Sequence, residues 1–180
     1  LETARQLGME NYRQLFSPDT ELGRWLATRN TMLRIGRNLF VHAGLSARLL
    51  ERNLEMDTLN ARMSEGLYRT SKERREDPTL EFLYRSAGPV WYRGMVCTDE
   101  KYDPLTPEQT DALLRRYDAD RLLIGHTIFP DISTFHDGRV IAVNVQNERN
   151  RRKNRGRAVL IEGSRISVVG NRGVKRVLEE

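Results

Sequence analysis

Apolar positions along the 180-residue chain follow two periods, helical spacing through most of the first 117 residues and alternation after about residue 120. Residues 2–16 place Ala4, Leu7, Tyr12, Leu15 and Phe16 at mixed three and four spacings. Ser17-Pro18-Asp19 then punctuates before a short helix with Leu22, Trp25 and Leu26. Residues 32–35 and 39–42 are short apolar runs on either side of Gly36-Arg37-Asn38, which predicts a hairpin. After Ser46 as N-cap, residues 47–70 predict one or two amphipathic helices, and the charged stretch 70–78 an exposed connection. Thr106 as N-cap, Pro107 at the first helical position and Gln109 closing a capping box start a helix that carries Leu113, Leu114 and Tyr117. Residues 120–124 form an apolar strand stopped by Gly125. Residues 139–145, 157–161, 165–169 and 174–178 alternate between glycine-containing turns, which predicts an antiparallel meander.

A chain of this size buries roughly two thirds of its unfolded surface and needs neither a disulfide nor a structural metal to fold. No stretch approaches the roughly 18 apolar residues of a membrane span, and residues 1–20 are too charged for a signal peptide. Cys97 is the single cysteine, which excludes an internal disulfide and a zinc cage built on cysteines. The net charge of +5 comes from residues 149–157 (RNRRKNRGR), which hold six of the thirty basic residues and no acid; without them 24 basic residues face 25 acidic ones. The basicity is therefore local, and an inference to nucleic acid rests on one run. The chain opens on Leu1 and passes directly into a helical pattern, so it is expected to be part of a longer polypeptide.

Two of the three histidines share a setting. His42 ends the strand Leu39-Phe40-Val41 with Gly44 following, and His126 follows Leu122-Leu123-Ile124-Gly125. Strand ends present side chains to clefts, and nearby glycines allow close approach. Imidazole also binds zinc, manganese or iron, but two histidines alone do not make a metal site. His136, in Phe135-His136-Asp137-Gly138, reads as an exposed turn residue. Arg93 lies between Tyr92 and Gly94 after Trp91, and its guanidinium either makes bidentate contact with phosphate oxygens or stacks on its aromatic neighbours. Asn144 and Gln146 alternate with Val143 and Val145, and so line the cleft or face solvent together.

Together these segments are a resemblance. Residues 39–46 (LFVHAGLS) resemble the VHGG segment of the calcineurin-like metallophosphoesterases, and residues 123–127 (LIGHT) resemble their GHT segment. Residues 88–93 (GPVWYR) are similar to the GPLWYR stretch of the bacterial serine/threonine protein-phosphatase branch, the Shewanella-like phosphatases. The resemblance implies the α/β fold of that family, here residues 1–180 as the C-terminal half of a β-sandwich of two mixed sheets flanked by helices. It implies phosphoester hydrolysis by two divalent ions (Mn2+, Fe2+/3+ or Zn2+) about 3.5 to 4 Å apart. His42 and His126 would be metal ligands, and Arg93 a catalytic residue holding phosphate oxygens. Ala43 stands where relatives have glycine, and Asn144 where many have aspartate.

The earlier motifs of that family, an Asp-x-His, a Gly-Asp-x-x-Asp-Arg and a Gly-Asn-His-Glu, occur nowhere in the sequence. They carry the other metal ligands, so the chain alone is expected to bind metal weakly and hydrolyse little. The partners implied are a phosphorylated substrate, no membrane, and a second copy or aggregate joined through exposed strand edges. Localisation stays open, cytoplasmic by default and periplasmic if a signal peptide precedes Leu1. The alternative is a non-catalytic module whose basic loop 149–157 binds nucleic acid or another polyanion. Against a nucleic-acid partner, no aromatic interleaves that run, which lies between predicted strands where a solvated hairpin loop is usual.

Overall fold

Which face each strand residue buries sets the layers. The computed structural model describes Gly8 and residues 14–179. The helix expected over 2–16 lies outside the described residues except at Gly8 and its last three positions. Described first is α1 (Glu21–Ala27), capped by the Thr20 hydroxyl, which accepts from the Gly23 amide at 3.0 Å. The predicted hairpin follows as β1 (Met32–Ile35) and β2 (Asn38–Val41), antiparallel with Ile35 opposite Asn38.

β2 pairs in parallel with β3 (Arg121–Ile124), and β3 in parallel with β5 (Val140–Ala142). β4 (Ser133–Phe135) closes the far edge antiparallel to β5, giving a mixed five-stranded sheet in the order β1-β2-β3-β5-β4. Parallel neighbours need crossover connections, and the helices between β2 and β3 supply one. These are α2 (Arg48–Glu51), α3 (Met56–Gly66), α4 (Ser71–Arg75), α5 (Pro78–Tyr84) and α6 (Pro107–Arg116). Leu39, Val41, Leu122, Ile124, Val140 and Ala142 point to the helical layer, where they pack with Leu59, Leu83 and Leu113. The alternate residues Leu123 and Ile141, with Phe40 against them, point the other way. They meet Ile166 and Val168 of a second sheet, β6 (Arg157–Glu162), β7 (Arg165–Gly170) and β8 (Lys175–Glu179). Fully burying one such side chain contributes about 1.5–3 kcal/mol, so the two-sided burial of β3 and β5 anchors the sheet.

Several sequence expectations change here. The second sheet is not mixed but three antiparallel strands, and the helices α2, α3, α5 and α6 pack on the face of the mixed sheet that the second sheet leaves free. The architecture is an α/β arrangement of a mixed sheet and a small antiparallel sheet with flanking helices, and a metallophosphoesterase sandwich is not confirmed. Residues 139–142 leave the expected meander because β5 finds its partner in β3, a long-range pairing that alternation alone does not reveal. The charged stretch 70–78 contains α4, started by a capping box of Thr70 and Glu73, and Asp77 caps α5. Ser46 does not cap a helix; its hydroxyl donates to the Ala87 carbonyl at 2.8 Å. The basic run is not a hairpin loop either. Its first part is α7 (Asn147–Arg152), which links the two sheets, with Arg152 paired to Glu148 at 2.5 Å and Arg157 to Asp131 at 2.8 Å. Among the described residues, no helix is long and apolar enough to cross a membrane.

β1 is an edge strand with Leu33 and Ile35 exposed. Beside it an open groove of about 590 Å3 runs past Phe40, Leu123 and Val159 toward His42.

Candidate functional site

The parallel pairing of β2 and β3 decides where the two histidines go. Val41 lies opposite Ile124, so His42 and Gly125-His126 leave the sheet at the same, carboxyl, end. The Gly125 amide donates to the His42 carbonyl at 2.8 Å, which extends the ladder one step beyond the strands. Clefts at the carboxyl ends of parallel strands are the usual ligand sites of open α/β sheets. The ring centroids of His42 and His126 lie 5.1 Å apart. His126 has a φ of +58°, in the left-handed region that costs a non-glycine residue on the order of 1 kcal/mol, and such strain concentrates at functional sites.

A loop from the helical layer supplies the third group. The Pro89 carbonyl accepts from the Ala43 amide at 2.9 Å and fixes the 88–94 loop against the end of β2. Tyr92 is buried beneath Gly44, where an added Cβ would sit 3.1 Å from the Tyr92 carbonyl, and its hydroxyl donates to the Asp103 carbonyl at 2.5 Å. Burial pushes the Tyr92 phenol well above its ordinary range, so it remains a donor. Gly94 leaves no room for a side chain, because its Cβ would come within 2.5 Å of the Asp103 and Tyr102 carbonyls. Between these fixed points Arg93 reaches across and donates from Nη1 to the Thr127 hydroxyl at 2.9 Å. Trp91, 56% exposed, meets the His126 ring edge-on at 5.5 Å.

Arg93, His42 and His126 therefore converge. Burial, then the Arg93 guanidinium and His42, hold the His126 imidazole below its usual pKa. Its buried Nε2 has no hydrogen-bond partner among the described residues. A buried polar atom left unsatisfied has a cost that an incoming ligand can recover. The cluster thus offers a fixed cation and the exposed imidazole of His42 to an oxygen-rich ligand, with the His126 ring behind them.

Other candidates fall elsewhere. His136 is not an exposed turn residue: it is half-buried, with Nε2 3.0 Å from the Met95 carbonyl and Nδ1 3.3 Å from the Thr110 hydroxyl, and it ties the turn before β5 to the helical layer. Asn144 and Gln146 do not act as a pair. The Asn144 Cβ lies 3.9 Å from where a Gly125 Cβ would stand, whereas Gln146 precedes α7 and accepts from Arg149 at 3.4 Å. Cys97 is half-buried against the core and is followed by Asp99 and Glu100. Sequence reasoning assigned no individual role to Thr127 or Pro89, although both lie in segments it singled out, 123–127 and 88–93.

No protein-family model matches the chain, and no curated protein matches it significantly. Solved structures do. A cold-active protein tyrosine phosphatase superposes with a TM-score of 0.83 at 29% identity, covering 94% of this chain and 48% of that one. The cold-active protein-tyrosine phosphatase of a psychrophile, a Shewanella species, matches with a TM-score of 0.83 at 28% identity, covering 93% and 48%. A point mutant of a cold-active protein tyrosine phosphatase gives the same values. The chain spans about half the length of the structures it matches.

These findings correct the resemblance drawn from the sequence. The structures that match are named protein tyrosine phosphatases, not serine/threonine phosphatases or calcineurin-like metallophosphoesterases, and no family model supports the latter. The two divalent ions are withdrawn as well. Among the described residues no group of three or more His, Cys, Asp or Glu side chains is placed to hold a metal ion. His42 and His126 have no carboxylate with them, and the Arg93 cation that depresses the His126 pKa would also oppose a metal ion beside it. The residues present do not fit a binuclear centre.

Proposed function

We propose that the cluster of Arg93, His42 and His126 binds the phosphate group of a phosphoester and takes part in its hydrolysis, with a phosphorylated protein side chain, phosphotyrosine foremost, as the substrate. One observation carries this reading: the Arg93 guanidinium is braced on Thr127 beside two histidines at the carboxyl ends of adjacent parallel strands. The likeness to chains named protein tyrosine phosphatases supports it. Arg93 keeps N–H groups beyond the one given to Thr127, and these hold phosphate oxygens and offset the charge that builds up on them during transfer. His42, exposed beside it, offers its imidazole to the same phosphoryl group, and the His126 ring, 5.1 Å away, backs that wall. Three such groups bind phosphate, but among the described residues no carboxylate stands with them to act as base for the attacking water, so turnover by residues 1–180 is expected to be low.

The test is to measure binding and hydrolysis of phosphotyrosine, phosphoserine and p-nitrophenyl phosphate by residues 1–180. Saturable phosphotyrosine binding that weakens in Arg93→Ala and His126→Ala supports the reading. Phosphotyrosine affinity unchanged in both variants overturns it.

A further inference from the structure

The fold gathers a second set of cations that the sequence keeps apart. Behind Arg93 and Trp91 lies a groove of about 900 Å3 walled by Arg48 of α2, Arg85 after α5, and Lys101 and Tyr102 of the 99–103 turn. A smaller groove of about 340 Å3 shares Arg48 and Arg85 with it and adds Arg52, whose guanidinium stacks on Phe82 at 4.3 Å. The two form one track leading away from the phosphate site.

Its charge is one-sided. The cations Arg48, Arg52, Arg85, Arg93 and Lys101 line the track, and the carboxylates within it are Asp103 and Glu81. Glu81 engages Arg85 only at 3.5 Å, while Lys101 pairs at 2.9 Å with the exposed Asp99. Outside residues 149–157 the chain carries 24 basic and 25 acidic residues, so this excess is a local product of folding. A concave surface of one sign concentrates ligands of the other. Trp91, Tyr102 and Tyr84 on its walls give it the aromatic, arginine-rich character of protein-recognition surfaces. Arg93 belongs to both the track and the phosphate site, so a chain whose phosphorylated side chain sits on Arg93 would lay its neighbouring residues along the track.

We propose that this track docks an acidic polypeptide segment flanking the phosphorylated residue of the substrate, which makes acidic phosphoproteins the preferred substrate class. The proposal rests on the phosphate-site reading above. Its test is fluorescence anisotropy with a labelled peptide of eight residues rich in Asp and Glu, unphosphorylated, at low and at moderate salt. Wild type binds it, with affinity falling as salt rises. Arg48→Glu combined with Arg85→Glu, both exposed positions, weakens binding about tenfold or more, whereas Arg48→Lys with Arg85→Lys stays within about threefold. Arg151→Glu with Arg152→Glu, on α7, leaves it unchanged. No binding by wild type, equal binding by the Arg48/Arg85 reversal variant, or tighter binding of a homopolymeric RNA at the same salt overturns the proposal. Free phosphotyrosine, too small to reach along the track, reports the phosphate site separately. Its failure to bind would overturn that reading and the link to phosphoproteins, while loss of peptide binding alone overturns the track.

Discussion

Arg93→Ala is the sharpest perturbation of the proposed site, because it removes the cation without touching either histidine backbone. A hydrogen bond to a charged group contributes about 1.5–3 kcal/mol, and each 1.4 kcal/mol is about tenfold in affinity. Losing the guanidinium from a bound phosphate is therefore expected to weaken binding by about 10- to 150-fold. Arg93→Lys keeps the charge and loses the bidentate geometry, which puts it between the two. Thr127→Val leaves Arg93 in place but removes the acceptor that holds Nη1 at 2.9 Å. Ordering a long side chain costs up to about 2 kcal/mol, of which that one bond recovers part, so this variant is expected to lose about 3- to 10-fold. The assay is quenching of Trp91 fluorescence by inorganic phosphate and by phosphotyrosine in a Trp25→Phe background, which leaves a single indole, the one against His126. Phosphate affinity within twofold of wild type in Arg93→Ala, or a larger loss in Thr127→Val than in Arg93→Ala, would refute the reasoning.

Four further outcomes are expected. His126 titrates below its ordinary value in the folded chain, so the unfolded chain takes up the proton first and stability falls as pH drops below about 6.5. Urea midpoints at pH 7.5 and 5.5 should show this loss in wild type and a smaller one in His126→Gln, and the His126 resonance should titrate at higher pH in Arg93→Ala. Gly94→Ala would place a Cβ against two backbone carbonyls, so it is expected to cost about 3 kcal/mol and to lower Tm by roughly 6–12 °C in a thermal melt. Titration of residues 1–180 with Mn2+ by calorimetry should show no saturable site tighter than the millimolar range, and micromolar binding would contradict the ligand count. Leu33 and Ile35 on the open edge strand β1 should make light-scattering mass rise with concentration, and Leu33→Lys with Ile35→Lys should suppress that rise.

Local signals in the sequence carried far, and long-range pairing set their limit. The helix from Pro107 was legible because Thr106 and Gln109 close a capping box, and the same logic at Thr70 and Glu73 marks α4, where the density of charge masked it. The hairpin of β1 and β2 was legible from its turn. That β2 and β3 lie side by side in parallel was not, since about eighty residues separate them. The site shows the same division. His42, His126 and Arg93 stood out as strand-end and loop residues, but their chemistry was assigned through a likeness of short segments, and the neighbours of the whole fold carry a different name. The cationic track was invisible for a related reason: its members come from positions 48, 52, 85, 93 and 101, and no window of sequence holds them together.

The meeting of the two imidazoles depends on a break in strand geometry as well as on register. Val41 and Ile124 are paired and both face the helical layer. Continued as regular strands, the chains would send His42, one residue on, to the opposite face, and His126, two residues on, back toward the helices. The rings would then lie on opposite sides of the sheet. The left-handed backbone at His126 ends the alternation, with the Thr127 amide turned back to the Gly125 carbonyl at 2.6 Å, and the His126 ring comes to rest 5.1 Å from His42. The same turn sets Thr127 where Arg93 can reach it. One strained residue thus brings together an imidazole from each of two strands and the acceptor that braces the arginine.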